Sequence, residues 1–166
     1  MNEPSVFDRP EITFPKEALH YTDVGNAVEN REVHNLYGAL MQQATYYGLI
    51  VRNKPEHSLR PFLLSRSFFA GSQKFGAVWT GDNRATEEHM LMSIPMLLQM
   101  SVSGLGFVGT DIGGFYPSTD LFEQDEDQQK LLMIWHALGT FYPFMRQHTH
   151  QEGKRREPYL YKKEVF

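Results

Sequence analysis

The chain has no cysteine among its 166 residues. That excludes a disulfide framework and a thiolate metal site. It leaves the compartment open, because an oxidising compartment permits disulfides without requiring them. There is no surplus of positive charge either. Sixteen Lys and Arg stand against 20 Asp and Glu, a net charge of −4, which argues against nucleic acid or an anionic membrane surface as a partner. No apolar run approaches the roughly 18 residues that a membrane span needs. The first residues, Met1-Asn2-Glu3-Pro4-Ser5, are polar and carry no apolar core, so no signal peptide is visible. There is no internal repeat. What is present is 41% hydrophobic and 13% aromatic residues, enough for one globular domain with a core.

Residues 1–31 lack a sustained period and are punctuated by Pro4, Pro10 and Pro15, which predicts a long surface loop. From Glu32 to Val51, the residues Val33, Leu36, Tyr37, Leu40, Ala44 and Tyr47 recur at helical steps. They predict a helix with that stripe inward and His34, Gln42 and Gln43 outward. Pro61-Phe62-Leu63-Leu64 is a continuous apolar run, expected of a strand buried on both faces. Arg66 follows at or near its end, where it reads as readily as a helix cap or surface pair as it does as a site residue.

A second strand, Phe75 to Trp79, ends in Thr80-Gly81-Asp82-Asn83, and a helix follows. Thr86 could cap that helix, with Glu87 and Glu88 in its first turn and Met90, Ile94, Leu97 and Leu98 inward. Pro95 should kink or break it. Asp82 and Asn83 themselves could be no more than caps. Leu105 to Asp111 repeats the design of apolar strand, glycine and carboxylate, and runs into Ile112-Gly113-Gly114-Phe115. Two strands tipped by Asp82 and Asp111 would point their carboxylates into one cleft if they are neighbours in a parallel sheet. Such a pair suits glycoside hydrolysis, and equally a divalent cation. A helix with an acidic start at Glu123 to Asp127 follows, then the apolar run Phe141 to Met145, His148 and His150, and a solvated basic patch Lys154-Arg155-Arg156. The alternation of helix and strand predicts an α/β fold with a parallel sheet of three or four units. That is short for a closed eight-stranded barrel of about 250 residues.

Five stretches carry a family likeness: Met1-Asn2-Glu3-Pro4-Ser5-Val6-Phe7, Arg66-Ser67-Phe68-Phe69-Ala70-Gly71-Ser72-Gln73, Trp79-Thr80-Gly81-Asp82-Asn83, Gly109-Thr110-Asp111-Ile112-Gly113-Gly114-Phe115 and Phe144-Met145-Arg146-Gln147-His148. In this order they resemble consecutive motifs of glycoside hydrolase family 31. His34-Asn35-Leu36-Tyr37-Gly38 and Gly153 to Pro158 resemble the glucosidase II branch. The resemblance implies an α/β fold, the C-terminal part of a (β/α)8 TIM barrel with about four β/α units, and residues 1–166 as part of one catalytic domain. It implies a retaining α-glucosidase with Asp82 as general acid/base. Arg66, Asp111 and His148 would hydrogen-bond the sugar, and Trp79, Phe115, Met1 and Phe7 would line its pocket. It implies no metal and no cofactor. The expected ligand is an α-glucoside or N-glycan oligosaccharide, with a possible non-catalytic β-subunit as partner and the endoplasmic reticulum lumen as location.

The family's nucleophile is the Asp immediately before Met-Asn-Glu-Pro, and this sequence begins at that Met. Since a retaining mechanism needs both carboxylates, the 166-residue chain alone is expected to be inactive as a glycosidase. Two other readings remain: a carbohydrate-binding or interaction remnant without catalysis, and a metal-dependent hydrolase using Asp82, Asp111 and His148.

Overall fold

The computed structural model describes residues 2, 3, 5, 6, 8, 13–52, 59–117 and 125–161. The chain divides into two units, Met1–Val78 and Trp79–Phe166.

In the first unit, the stretch expected to be irregular holds a small antiparallel hairpin. Strands β1 (Leu19–Tyr21) and β2 (Ala27–Glu29) pair with Leu19 opposite Glu29 and Tyr21 opposite Ala27. Gly25, at φ 81°, lets the turn close, and Thr22 N–H donates to Asn26 O at 2.9 Å. Three-residue strands of mixed polarity are too short to show a period of two. Helix α1 (Asn30–Arg52) starts directly after the hairpin.

The buried line of α1 differs from the expected one. It runs through Asn30, Gly38 and Gln42, whereas Leu36, Leu40 and Tyr47 are exposed. The reason is close approach. A Cβ at Gly38 would collide with Ser67, so a bare backbone, not an apolar stripe, sets the contact face. Asn2 reinforces it by donating from Nδ2 to Gly38 O at 2.6 Å and to Ser65 Oγ at 2.7 Å. Strand β3 (Leu64–Ser65) pairs in parallel with the start of β4 (Ala77–Trp79), Leu64 opposite Ala77 and Ser65 opposite Val78. The apolar run ahead of β3 is less enclosed than expected: Leu63 is buried and Phe62 is exposed.

The second unit opens with Trp79, the last residue of β4. Helix α2 (Glu87–Val102) continues unbroken past Pro95, although proline removes one backbone hydrogen bond there. Its buried line is Met90, Ser93 and Leu97, with Ile94 and Leu98 exposed against expectation. Ser93 is selected by a polar contact: its hydroxyl sits 2.6 Å from Tyr142 Oη, which accepts from Trp135 Nε1 at 3.1 Å. Trp135 lies on helix α3 (Asp125–Gly139) and is fully buried. This three-residue chain ties α2, α3 and the segment after α3 into one core. Strand β5 (Val108–Gly109) stands between them in sequence, and residues beyond α3 bond to it and to the turn after it. Phe144 N–H donates to Val108 O and Ile112 N–H to Arg146 O, both at 2.9 Å, with Asp111 and Arg146 paired in parallel. Gly109 is required here, because any Cβ would run into the Phe144 carbonyl. The architecture is α/β with parallel strand pairing. Among the described residues, no helix is long and apolar enough to cross a membrane.

Candidate active site

The turn after β4 is built to present one carboxylate. Trp79 is buried, Gly81 takes φ 84°, and Asp82 is half-buried at the tip. Asn83 is buried and cross-links the turn to the next one. Its Nδ2 donates to Thr110 Oγ1 and to Asp111 O, each at 2.9 Å, and its Oδ1 accepts from Phe115 N–H at 2.9 Å. Thr80 adds a backbone bond to Gly109 O at 3.2 Å and a hydroxyl bond to Thr110 at 2.9 Å. Capping of α2 is done elsewhere, since Thr86 Oγ1 accepts from His89 N–H at 3.3 Å. The turn Gly81-Asp82-Asn83 is therefore not a helix cap. It is a brace that holds the end of β4 against the end of β5.

The end of β5 carries the second carboxylate. The Asp111 side chain is 1% exposed. Arg146 Nε donates to its Oδ1 at 2.9 Å, and Nη2 lies 2.7 Å from the same oxygen. The guanidinium also lies over the Trp79 ring, 5.2 Å from its centroid, so one cation joins the carboxylate to the aromatic wall. Burial pushes the Asp111 carboxyl above its ordinary 3.8; the Arg146 cation and the His148 imidazole pull it back down, and the Asp82 carboxylate pushes it up. Asp82 and Asp111 thus act on each other electrostatically. Asp111 Oδ2 and Trp79 Nε1 are both buried without a hydrogen-bond partner among the described residues.

The glycine loop after Asp111 closes this wall. Gly113 and Gly114 have φ of 79° and 82°, and a Cβ on Gly114 would strike the backbone of Arg84 and Ala85. The loop delivers Phe115, whose ring packs 5.3 Å from the exposed ring of His148 at 33°. Beside the loop a cavity of about 490 Å³ is lined by Gly113, Gln128, Leu132, Thr149 and Arg156, and neither Asp82 nor Asp111 borders it.

Arg66 belongs to the first unit. It follows β3 directly, its Nε lies 3.5 Å from Glu3 Oε1, and it borders a cavity of about 300 Å³ with Ser5, His34 and Phe68. Ser67 N–H donates to Asn2 O at 2.9 Å, which pins the Asn2-Glu3 segment beside Arg66.

Of the residues singled out from sequence, Asp82, Asp111, Trp79, Phe115 and His148 share the second unit. Arg66 stands on the strand end of the first, and Met1 and Phe7 lie outside the described residues. Among the described residues, no three carboxylate or imidazole groups gather as a metal site needs. Asp111 is engaged by Arg146 instead. Two functional residues escaped the sequence reading. Arg146 was signalled by a cation closing an apolar run, two residues before His148. Asn83 was taken for a possible cap. Arg156, expected to be solvated, is instead drawn inward: it donates to the carbonyls of Gly113 and Gly114, and to His148 O at 2.9 Å.

The glycosyl hydrolases family 31 TIM-barrel domain matches residues 1–166. The chain is 49% identical to the probable glucan 1,3-alpha-glucosidase of Oryza sativa subsp. japonica over 97% of its length, covering 16% of that protein. It is 51% identical to neutral alpha-glucosidase C of Mus musculus over 99% of its length, covering 17%. A crystal structure of the heterodimeric ER glucosidase II, made of the catalytic subunit and the binding domain of the regulatory subunit, superposes with a TM-score of 0.85. There the identity is 47%, over 99% of this chain and 17% of that one. The chain thus spans about a sixth of the length of the curated relatives it matches.

Proposed function

The chain belongs to the glycosyl hydrolases of family 31, and we propose that it carries the proton-donating part of a retaining α-glucosidase site of glucosidase II type. Asp82 is the general acid/base. It protonates the leaving glycosidic oxygen and then takes a proton from the attacking water. Asp111, Arg66 and His148 hydrogen-bond the glucose ring. Trp79 and Phe115 line its pocket, with Met1 and Phe7 at the family's matching positions. Domain assignment follows the same reading: residues 1–166 are part of one catalytic barrel domain. The nucleophilic carboxylate of the two-carboxylate mechanism comes from the position that precedes Met-Asn-Glu-Pro in the family's order.

The observation that carries this reading is the brace. Asp82 and Asp111 stand on the ends of β4 and β5, and Thr80–Thr110 and Asn83–Asp111 hydrogen bonds hold those two ends together. In barrels of this class, chemistry sits at the C-terminal ends of strands. The buried Asp111 stays a fixed acceptor under Arg146, while the tip carboxylate of Asp82 handles the proton.

The proposed substrate is α-linked glucose on an N-glycan, an assignment supported by the 1,3-alpha-glucosidase and glucosidase II names of the relatives. By the same support, the proposed partner is a regulatory subunit and the proposed location is the endoplasmic reticulum lumen. The test is to supply the full-length protein with an α-1,3-linked glucosyl disaccharide and follow the freshly released sugar by proton NMR. Release of α-glucose ahead of mutarotation is expected. Initial release of β-glucose would contradict the retaining mechanism, and no release would contradict the reading.

A further inference from the structure

We propose that Arg156 is a positioning residue for the sugar pocket, a clamp that fixes the glycine loop and the His148 strand end to each other. The proposal rests on the functional reading above for its consequence, but its geometry stands alone. Nη1 of Arg156 donates to Gly113 O, and Nη2 donates to Gly114 O and to His148 O at 2.9 Å. One planar cation therefore satisfies carbonyls from the two segments that supply Phe115 and His148, whose rings pack at 33°. The loop needs such a donor set. Gly113 and Gly114 are both at positive φ, outside regular strand geometry, and the Arg156 guanidinium serves their carbonyls. A guanidinium, with five donors in a fixed fork, can hold three carbonyls at once, and an ammonium presents its three donors without that geometry.

The clamp is itself anchored. Gln147 Nε2 donates to Arg156 O at 2.5 Å, and Gln147 Oε1 lies 3.1 Å from His136 Nε2 on α3. Arg156 is thus tied to the helix behind the loop through its backbone, and its side chain is left to hold the loop. Space enforces the arrangement: a Cβ on Gly113 would lie 3.0 Å from Arg156 Nη1 and 2.6 Å from Leu132 Cδ1. The Asp111 carboxylate acts on the Arg156 charge, while the hydrogen bonds of the guanidinium go to the carbonyls of the Phe115 and His148 segments. Asn83 beside Asp82 is bonded to the loop through Phe115 N–H but also to Thr110 and Asp111, so loosening the clamp should weaken sugar binding more than it disturbs the acid.

The experiment compares R156K and R156Q with the wild type in the full-length protein by three readouts: melting midpoint, amide hydrogen exchange at Phe115 and Tyr116, and affinity for the iminosugar deoxynojirimycin. The expected result is a near-unchanged midpoint, faster exchange confined to the loop, and an affinity loss of about tenfold in R156Q, the worth of one charge-assisted hydrogen bond, with a smaller loss in R156K. Unchanged loop exchange in a folded R156Q would overturn the proposal. Global unfolding of both variants would also overturn it, because Arg156 would then serve the fold and not the pocket. If the wild-type protein shows no iminosugar binding while loop exchange still responds to R156Q, the glucosidase reading fails and the clamp stands.

Discussion

Asp111 is the residue on which the electrostatics of the cleft turn. Its carboxyl is pushed above the ordinary 3.8 by burial, with Arg146 and His148 opposing and Asp82 reinforcing. The native chain then keeps a proton that the unfolded chain has already released, so the unfolded state binds fewer protons in that window. Stability contributed at this position accordingly falls as pH rises from the unfolded value through the raised folded one, and the cost is absent below it. Replacing Asp111 with Asn should remove that downward slope, measured as melting midpoint against pH as it rises past the ordinary carboxyl value. Removing the opposing cation instead should deepen it. R146Q leaves a carboxylate of 1% exposure without its partner, which should cost about 3 kcal/mol at neutral pH and less in acid. Equal losses for R146Q at neutral pH and in acid would contradict the pairing.

Elements were readable from the sequence where one local rule decided them, and unreadable where contact geometry did. The two carboxylate-tipped strands were legible because an apolar run, a glycine and an acid follow one another in Phe75–Asp82 and again in Leu105–Asp111. The Thr86 cap was legible from its hydroxyl and the two acids behind it. The inward face of α1 was not, and that of α2 was legible only at Met90 and Leu97. Gly38 and Ser93 sit on them because one must let Ser67 approach and the other must meet Tyr142, and neither demand leaves a hydrophobic signature. The β1–β2 hairpin escaped because three residues are too few to alternate visibly. In the candidate site, motif resemblance points to the residues proposed to face the sugar. It passed over Asn83, Arg146 and Arg156, which hold those residues in place. Element-scale predictions follow the same division. T86A removes a cap and should cost about 1 kcal/mol. G114A forces a side chain into a left-handed position against the Arg84–Ala85 backbone and should cost more than about 2 kcal/mol. Thermal melting of the two variants checks the order, and a G114A protein as stable as T86A would contradict the account of the loop.

At the scale of the molecule, both units leave apolar helix surface uncovered. Leu36, Leu40 and Ile50 on α1 are exposed, as are Leu91, Met92, Leu98 and Val102 on α2. Surface of this kind in a monomer marks contact with other protein, consistent with a chain that spans about a sixth of its relatives' length. Residues 1–166 expressed alone should therefore bind a hydrophobic dye and self-associate in sedimentation, whereas the full-length protein should do neither. A monomeric, dye-silent 166-residue chain would contradict this. The central claim is that Asp82 gives a proton to the leaving sugar, and leaving-group dependence in D82N tests it most directly. A sugar leaving group needs that proton and an activated aryloxide does not. Turnover of an α-1,3-linked disaccharide by full-length D82N should fall by about 10²–10⁴, and first-step cleavage of an activated aryl α-glucoside should fall far less. Equal loss on both substrates, or full activity on the disaccharide, would contradict the assignment of Asp82 as the acid.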